Sequence, residues 1–193
     1  KTDIDGQEAV GEGELMMLAE HATPDSINFM MRHAGNPPVV TASREHLERL
    51  ELHLTVPSAQ APRGASIMVS VNARKIGSNG VSAQDRALTI RKLSDPSSTN
   101  HDFVQPGHVT PLQAQPGGVL RRAGHTEASV DLAQMADSRP VALIAAILDA
   151  SGKLADTPFL LDFAQEHGFK IATIHDLIAH RRRTEKLIYL EAR

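Results

Sequence analysis

The order of apolar and polar positions along the 193-residue chain predicts strands that alternate with helices. Residues 66–72 alternate with a period of two, which is the pattern of a half-buried strand. Residues 141–148 are apolar throughout, which predicts a strand buried on both faces. Shorter strands are predicted at residues 14–20, 38–41 and 169–173.

Helices are predicted where a polar capping residue precedes apolar side chains at helical spacing. They begin next to Thr23, Ser43, Ser82, Thr126, Asp156 and His175. Residues 94–118 have no such pattern and are predicted to form a loop. Interleaved strands and helices in a chain of this length indicate one domain of the α/β or α+β class, built as a layered sandwich.

Charge and composition narrow the range of partners. A net charge of −3 gives no electrostatic reason to expect a nucleic acid or an anionic membrane. The longest apolar run is too short to cross a bilayer and no signal-peptide pattern opens the chain, so we expect a cytoplasmic protein with a small ligand. The absence of cysteine leaves carboxylate and imidazole as the ligands for any metal. Arg181, Arg182 and Arg183 end a predicted helix, where a solvated helix tail is expected in preference to an anion site.

Candidate chemistry is concentrated in residues 115–132. Arg122 can bind a phosphate or carboxylate with its forked guanidinium group, and Gly124 allows close approach of the backbone. Thr126 is expected to cap a helix whose first N–H groups can bind an anion beside His125. The sequence therefore predicts an oxyanion pocket, although a glycine-rich turn before a capped helix is also common without any ligand.

Three stretches carry a resemblance to a known family. They are Gln-Pro-Gly-His-Val-Thr-Pro-Leu at 105–112, Pro-Gly-Gly-Val-Leu at 116–120 and Arg-Ala-Gly-His-Thr-Glu-Ala at 122–128. Together they resemble the signature of 3,4-dihydroxy-2-butanone 4-phosphate synthase, a riboflavin-pathway enzyme. Residues 20–30, 80–86, 163–170 and 176–181 are also similar, so the resemblance covers nearly the whole chain. It implies the layered sandwich of that family.

The same resemblance divides the chain into a synthase-like domain, residues 1–183, and a C-terminal tail or remnant linker, residues 184–193. In longer relatives a GTP cyclohydrolase II domain begins near this boundary. Residues 184–193 are therefore interpreted as the remnant of a linker or the start of a further domain.

For activity, the resemblance implies a magnesium-dependent lyase, a homodimer that converts D-ribulose 5-phosphate into 3,4-dihydroxy-2-butanone 4-phosphate and formate. His125 would be a catalytic residue and a metal ligand, with Glu12 as a second catalytic candidate. The residues implied to bind the phosphorylated substrate are Arg122, Ala123, Gly124, Thr126 and Glu14.

Several positions depart from the family pattern. The family's Arg-Glu-Asn-Glu-Gly-Asp run falls on residues 9–14, where Ala9 replaces a phosphate-binding arginine and Val10 replaces a metal-binding glutamate. Ala146 replaces a late catalytic glutamate, and Asn72 stands where an aspartate is usual. Loss of an acid or base group alone costs about a hundred- to ten-thousandfold in rate.

These departures lead to three hypotheses. The first is a divergent homologue with an incomplete catalytic site, in which the reaction is lost or repurposed while a phosphorylated sugar or similar small anion still binds. The second is an active synthase with an unorthodox metal site that uses Glu12 or Glu14. The third is a non-catalytic dimeric scaffold or regulatory partner. Magnesium is expected to bind weakly or not at all, because Val10 removes a ligand.

Overall fold

The computed structural model describes residues 12–56 and 66–185. The strands are β1 (Glu14–Leu18), β2 (Val39–Ala42), β3 (Ser66–Ile67), β4 (Val71–Ala73), β5 (Phe103–Val109), β6 (Pro111–Gln113) and β7 (Val141–Ala146). The α-helices are α1 (Pro24–Ala34), α2 (Arg44–Arg49), α3 (Ala83–Ser94), α4 (His125–Met135), α5 (Thr157–His167) and α6 (Ile174–Thr184). No helix in these two ranges is long and apolar enough to cross a membrane.

Five of the strands form one mixed sheet in the order β1-β7-β2-β6-β3, and β4 pairs with β5 in a separate ribbon. β7 lies inside the sheet and is antiparallel to both β1 and β2. Five consecutive residues of β7, 141–145, are buried, which confirms the strand predicted from the apolar run. The combination of sheets and helical layers confirms the predicted α+β class.

The two faces of the large sheet have different neighbours. Val40 and Leu143 point into the main core, which also contains Ile27 of α1, Leu47 of α2 and Ile90 of α3. The opposite face packs against α4, and Thr41 on it shares a hydrogen bond of 2.7 Å with Ser129 of that helix. A sheet covered on both faces explains why β7 reads as continuously apolar.

Residues 66–72 do not form the single strand that the alternation predicts. β3 pairs with β6 in the large sheet, whereas β4 pairs with β5, and the ladder shifts register between Val71 and Asn72. Alternation specifies which side chains share a face, but it does not specify which strand is the partner. The segment therefore leaves one sheet and enters another.

Two further local predictions were wrong. Residues 94–118, expected to be a loop, contain β5 and β6, whose strand signal is weakened by Pro106, Gly107 and Pro111. Residues 169–173, expected to be a strand, pair with no strand in the described part of the chain. Phe169 and Ile171 in this segment are exposed.

Candidate active site

The N-terminus of α4 lies at the centre of the residues singled out from the sequence. The helix begins at His125 and its N-cap is Gly124, with extended backbone angles φ −120° and ψ 159°. The sequence had suggested Thr126 as the cap, but Thr126 lies in the first turn of the helix. The helix begins two residues earlier than predicted, because Gly124 takes the extended conformation of the cap.

Arg122 and Glu127 form an ion pair across this turn. Nη1 of Arg122 donates to Oε2 of Glu127 at 2.7 Å, and the N–H of Gln115 donates to Oε1 at 3.0 Å. Only 1% of the Glu127 side chain is exposed. A Cβ atom at Gly124 would lie 2.4 Å from Arg122 Nη1 and 2.7 Å from Glu127 Oε2. Glycine at this position thus makes room for the ion pair.

Asp131, one helical turn later, anchors the loop before the helix. Its Oδ2 accepts from the N–H of Val119 at 2.9 Å and from Nη1 of Arg181 at 2.7 Å. Arg181 also donates to the carbonyl of Gly117, and its side chain is only 15% exposed. The expectation of a solvated arginine tail was therefore wrong for Arg181. Glu127 and Asp131, four residues apart on α4, were the signal that could have revealed these anchors.

His125 faces a carboxylate from the edge strand of the sheet. Its Nδ1 lies 3.6 Å from Oε1 of Glu14 on β1, which is close enough for an ion pair but too long for a hydrogen bond. Oε2 of Glu14 is buried and has no hydrogen-bond partner within the described residues. Burial raises the pKa of the Glu14 carboxyl; the His125 charge opposes this rise and the Glu12 charge adds to it.

Glu12, Glu14 and His125 line a cavity of about 1020 Å³. Its walls are mainly apolar side chains, with Glu12, Glu14, His125 and Ser129 among the few polar ones. This composition is typical of a small-molecule site. Of the predicted site residues, the structure brings Glu12, Glu14 and His125 together here, whereas Arg122, Ala123, Gly124 and Thr126 flank the start of α4 and do not line the cavity.

The strand register places Glu14 directly opposite Ala146. The two residues are Cα partners in the antiparallel ladder of β1 and β7. Opposite residues on one face have Cβ atoms about 5 Å apart. A carboxylate therefore stands beside the position at which the resemblance places a missing glutamate. The other two positions considered lost, Ala9 and Val10, lie outside the described residues.

Magnesium in proteins is often bound by one or two carboxylates, with water and substrate oxygens completing the shell. Glu14 fits this role because its Oε2 is buried without a partner, and His125 lies beside it. No cluster of three or more His, Cys, Asp or Glu side chains suited to a metal occurs in residues 12–56 and 66–185. The donor set thus fits a cation that is bound mostly through water and substrate.

Comparison with known proteins places these observations in a family. Residues 3–180 match the family model described as 3,4-dihydroxy-2-butanone 4-phosphate synthase. The riboflavin biosynthesis protein RibBA of Aquifex aeolicus is 46% identical over 96% of this chain and 46% of its own length. The 3,4-dihydroxy-2-butanone 4-phosphate synthase of Neisseria meningitidis serogroup A is 46% identical over 95% of this chain and 51% of its own. The chain spans about half the length of these relatives.

Solved structures agree. A 3,4-dihydroxy-2-butanone 4-phosphate synthase in complex with two magnesium ions superposes with a TM-score of 0.86 at 37% identity, covering 90% of this chain and 86% of that one. RibBX, a two-domain synthase from A. baumannii, also reaches 0.86, at 43% identity, over 91% of this chain and 52% of its own. Magnesium is therefore found in the family.

These relatives contradict the expectation that the reaction is lost or repurposed, and they give no support to a divergent active site. Chains 46% identical to this one include a protein named as the synthase itself. The expectation was wrong because it gave a few replaced positions, Ala9, Val10 and Ala146, more weight than the similarity of the whole chain to proteins named as the synthase. The chain belongs to the 3,4-dihydroxy-2-butanone 4-phosphate synthase family.

Proposed function

We propose that this chain is a working 3,4-dihydroxy-2-butanone 4-phosphate synthase, which converts D-ribulose 5-phosphate into 3,4-dihydroxy-2-butanone 4-phosphate and formate. The observation that carries the proposal is the position of Glu14, a partly buried carboxylate whose buried Oε2 has no hydrogen-bond partner within the described residues, opposite Ala146 and beside His125. Its support is the identity to a protein named as the synthase over 95% of the chain.

Glu14 is the proposed acid and base of the reaction. Enolisation of a sugar phosphate removes a proton from a carbon next to the carbonyl group and later returns one. A carboxyl group whose pKa is raised by burial is a stronger base than an exposed one, and near neutral pH a larger share of it holds the proton that must be returned. His125 lies close enough to stabilise the carboxylate form, and Glu12 lines the same cavity.

Glu14 and His125 are also the proposed ligands of magnesium. When bound, the cation would supply positive charge to the vicinal oxygens of the sugar. We expect weak binding, because Val10 offers no carboxylate and few protein ligands are present. A tight stoichiometric site in calorimetry would contradict this expectation.

The phosphate group is proposed to bind at the start of α4. Arg122 uses Nη1 for Glu127, and its other guanidinium nitrogens make no hydrogen bond within the described residues. The first N–H groups of the helix, around Gly124 and Thr126, add partial positive charge in the same place. Ala123 lies between these groups on an exposed turn, where its small side chain leaves room for an anion.

The proposed assembly is a homodimer, in line with the family resemblance. Light scattering at micromolar concentration should give twice the mass of the chain, and a monomer would contradict the proposal. The division into residues 1–183 and 184–193 stays a prediction; α6 runs to Thr184, next to this boundary.

Formate release from D-ribulose 5-phosphate tests the function directly. Wild type with magnesium should release one formate per molecule of substrate consumed. Glu14→Gln should lower kcat by about a hundred- to ten-thousandfold. Glu166→Gln, the same change on the exposed face of α5, is the matched control and should keep wild-type activity. No formate from wild type, or full activity in Glu14→Gln, would show the proposal to be wrong.

A further inference from the structure

A short turn between β6 and α4 leads into the arginine of the proposed phosphate site. It is a single 3-10 turn, Gly118–Leu120, and Gly117 before it has a left-handed φ of 94°. The carbonyl of Gly118 accepts from the N–H of Arg121 at 2.9 Å and from that of Arg122 at 3.0 Å. The position of Gly118 therefore determines where the backbone of Arg122 lies.

Arg181 of α6 holds this turn from outside the cavity. Its Nη1 donates to the carbonyl of Gly117 at 3.0 Å and to Oδ2 of Asp131 at 2.7 Å. The same Oδ2 accepts from the N–H of Val119 at 2.9 Å. One guanidinium nitrogen thus fixes the turn at two points, once directly and once through the carboxylate.

The turn and α6 also fit together closely. Gly118 has a φ of 60°, and a Cβ atom there would lie 2.0 Å from Oδ1 of Asp131 and 2.5 Å from Nη1 of Arg181. Glycine at this position therefore lets the ion pair lie against the backbone of the turn. Apolar packing joins the same two segments, because Val119 belongs to a small buried cluster with Leu177 of α6.

The Arg181 side chain is itself held in one orientation. Its Nη2 donates to Oε2 of Glu185 at 2.8 Å, and its Nε donates to Oε1 of the same carboxylate. A two-point contact of this kind fixes the plane of a guanidinium group. Since only 15% of the side chain is exposed, the third nitrogen, Nη1, is directed to the turn and not to solvent.

We propose that Arg181 is a positioning residue for the phosphate of the substrate. It holds the turn and thereby keeps Arg122 where its guanidinium group can meet an anion at the start of α4. It acts without touching the substrate, because each of its three nitrogens already donates to Gly117, Asp131 or Glu185. The effect on substrate rests on the proposed function, whereas the restraint on the turn does not.

Steady-state formate release tests the proposal with Arg181→Met, Arg181→Lys and the exposed control Arg182→Met. Circular dichroism first establishes a temperature at which every variant is folded. Arg181→Met should raise KM for D-ribulose 5-phosphate by up to roughly tenfold with kcat nearly unchanged, because binding is weakened and the reacting groups stay in place. Arg181→Lys keeps a charged donor and should recover part of the loss. A wild-type KM in Arg181→Met would overturn the inference.

A double variant separates this role from a general loss of stability. If Arg181 acts through Arg122, Arg181→Met should cause little further loss of affinity in a chain that already carries Arg122→Ala. Titration calorimetry with D-ribulose 5-phosphate on the two single variants and the double variant measures this coupling. Losses that simply add in the double variant would contradict a role through Arg122.

Trypsin gives a readout that needs no ligand. Arg121 and Arg122 follow the turn directly, so release of the turn should speed cleavage after these residues under native conditions, with the fragments identified by mass spectrometry. Arg181→Met should be cut there faster than wild type and Arg182→Met. Equal rates would show that Arg181 does not restrain the turn. Failure of the proposed function would instead appear as no formate from wild type, with the difference in cleavage unchanged.

Discussion

His125 and His108 lie in two regions with opposite bonding patterns. His125 begins α4 and faces Glu14, a carboxylate with one buried oxygen that has no partner in the described residues. His108 lies on β5, and its Nδ1, N–H and carbonyl are all engaged by Asn72 and Arg86. In the first region, polar atoms without partners face a cavity. In the second, Nε2 is the one polar atom of His108 that has no hydrogen-bond partner within the described residues.

This difference separates two ways in which the protein surrounds a histidine. Leaving a buried carboxylate unpaired costs stability, because its desolvation is not repaid until a ligand or cation arrives. Satisfying every polar group except one fixes a ring at little cost to stability. We therefore expect the conflict between stability and activity to be located at Glu14.

The largest expected effect comes from moving the carboxylate between strands. Glu14→Gln should lose activity by about a hundred- to ten-thousandfold. Adding Ala146→Glu to it places a carboxylate on the opposite residue of β7, and we expect most of the lost kcat to return in the formate assay. Ala146→Glu alone should be less stable than wild type, since two like charges would then face each other. A double variant as inactive as Glu14→Gln would show that position 14 acts in another way.

Arg122→Ala should weaken binding of D-ribulose 5-phosphate by roughly ten- to hundredfold, because a charged hydrogen bond contributes about 1.5–3 kcal/mol. Titration calorimetry provides the measurement. Arg121→Ala removes the neighbouring, exposed arginine and serves as the control. Equal losses in both variants would point to general attraction of charge and against a phosphate contact at Arg122.

The loop before α4 should lose stability when Arg181 is replaced, because Arg181 anchors it through Asp131. Arg181→Met leaves the buried carboxylate of Asp131 with only the N–H of Val119, so we expect the free energy of unfolding to fall by about 1–3 kcal/mol. Urea denaturation measures it, with the exposed Arg182→Met as control.

The smallest expected effect is a gain in stability. Since burial raises the folded-state pKa of Glu14 above its unfolded value, the stability this group contributes is present at acid pH and is lost as the pH rises through the folded-state pKa. Glu14→Gln does not titrate, so its Tm should exceed that of wild type by a few degrees at pH 7, and the two should converge in acid. A Tm difference that is constant between pH 4 and 8 would contradict this account; Glu166→Gln should show none.

Local signals in the sequence were enough to predict several helices and strands and to identify the family. Helices α1, α3 and α5 begin after Thr23, Ser82 and Asp156, each of which accepts a hydrogen bond from the helix as predicted. The continuous apolar run identified β7. Caps and burial patterns act over a few residues, so they can be recognised without knowing what packs against them.

The tertiary structure alone decided the pairings. Residues 66–72 alternate as predicted but pass from one sheet to another. The sheet also places Glu14 opposite Ala146, which is more than a hundred residues away in the chain. Arg122 was predicted to bind an anion, and in the structure one of its nitrogens pairs with Glu127. Register and charge pairing depend on distances between segments that are remote in sequence, and no local pattern of apolar and polar residues records those distances.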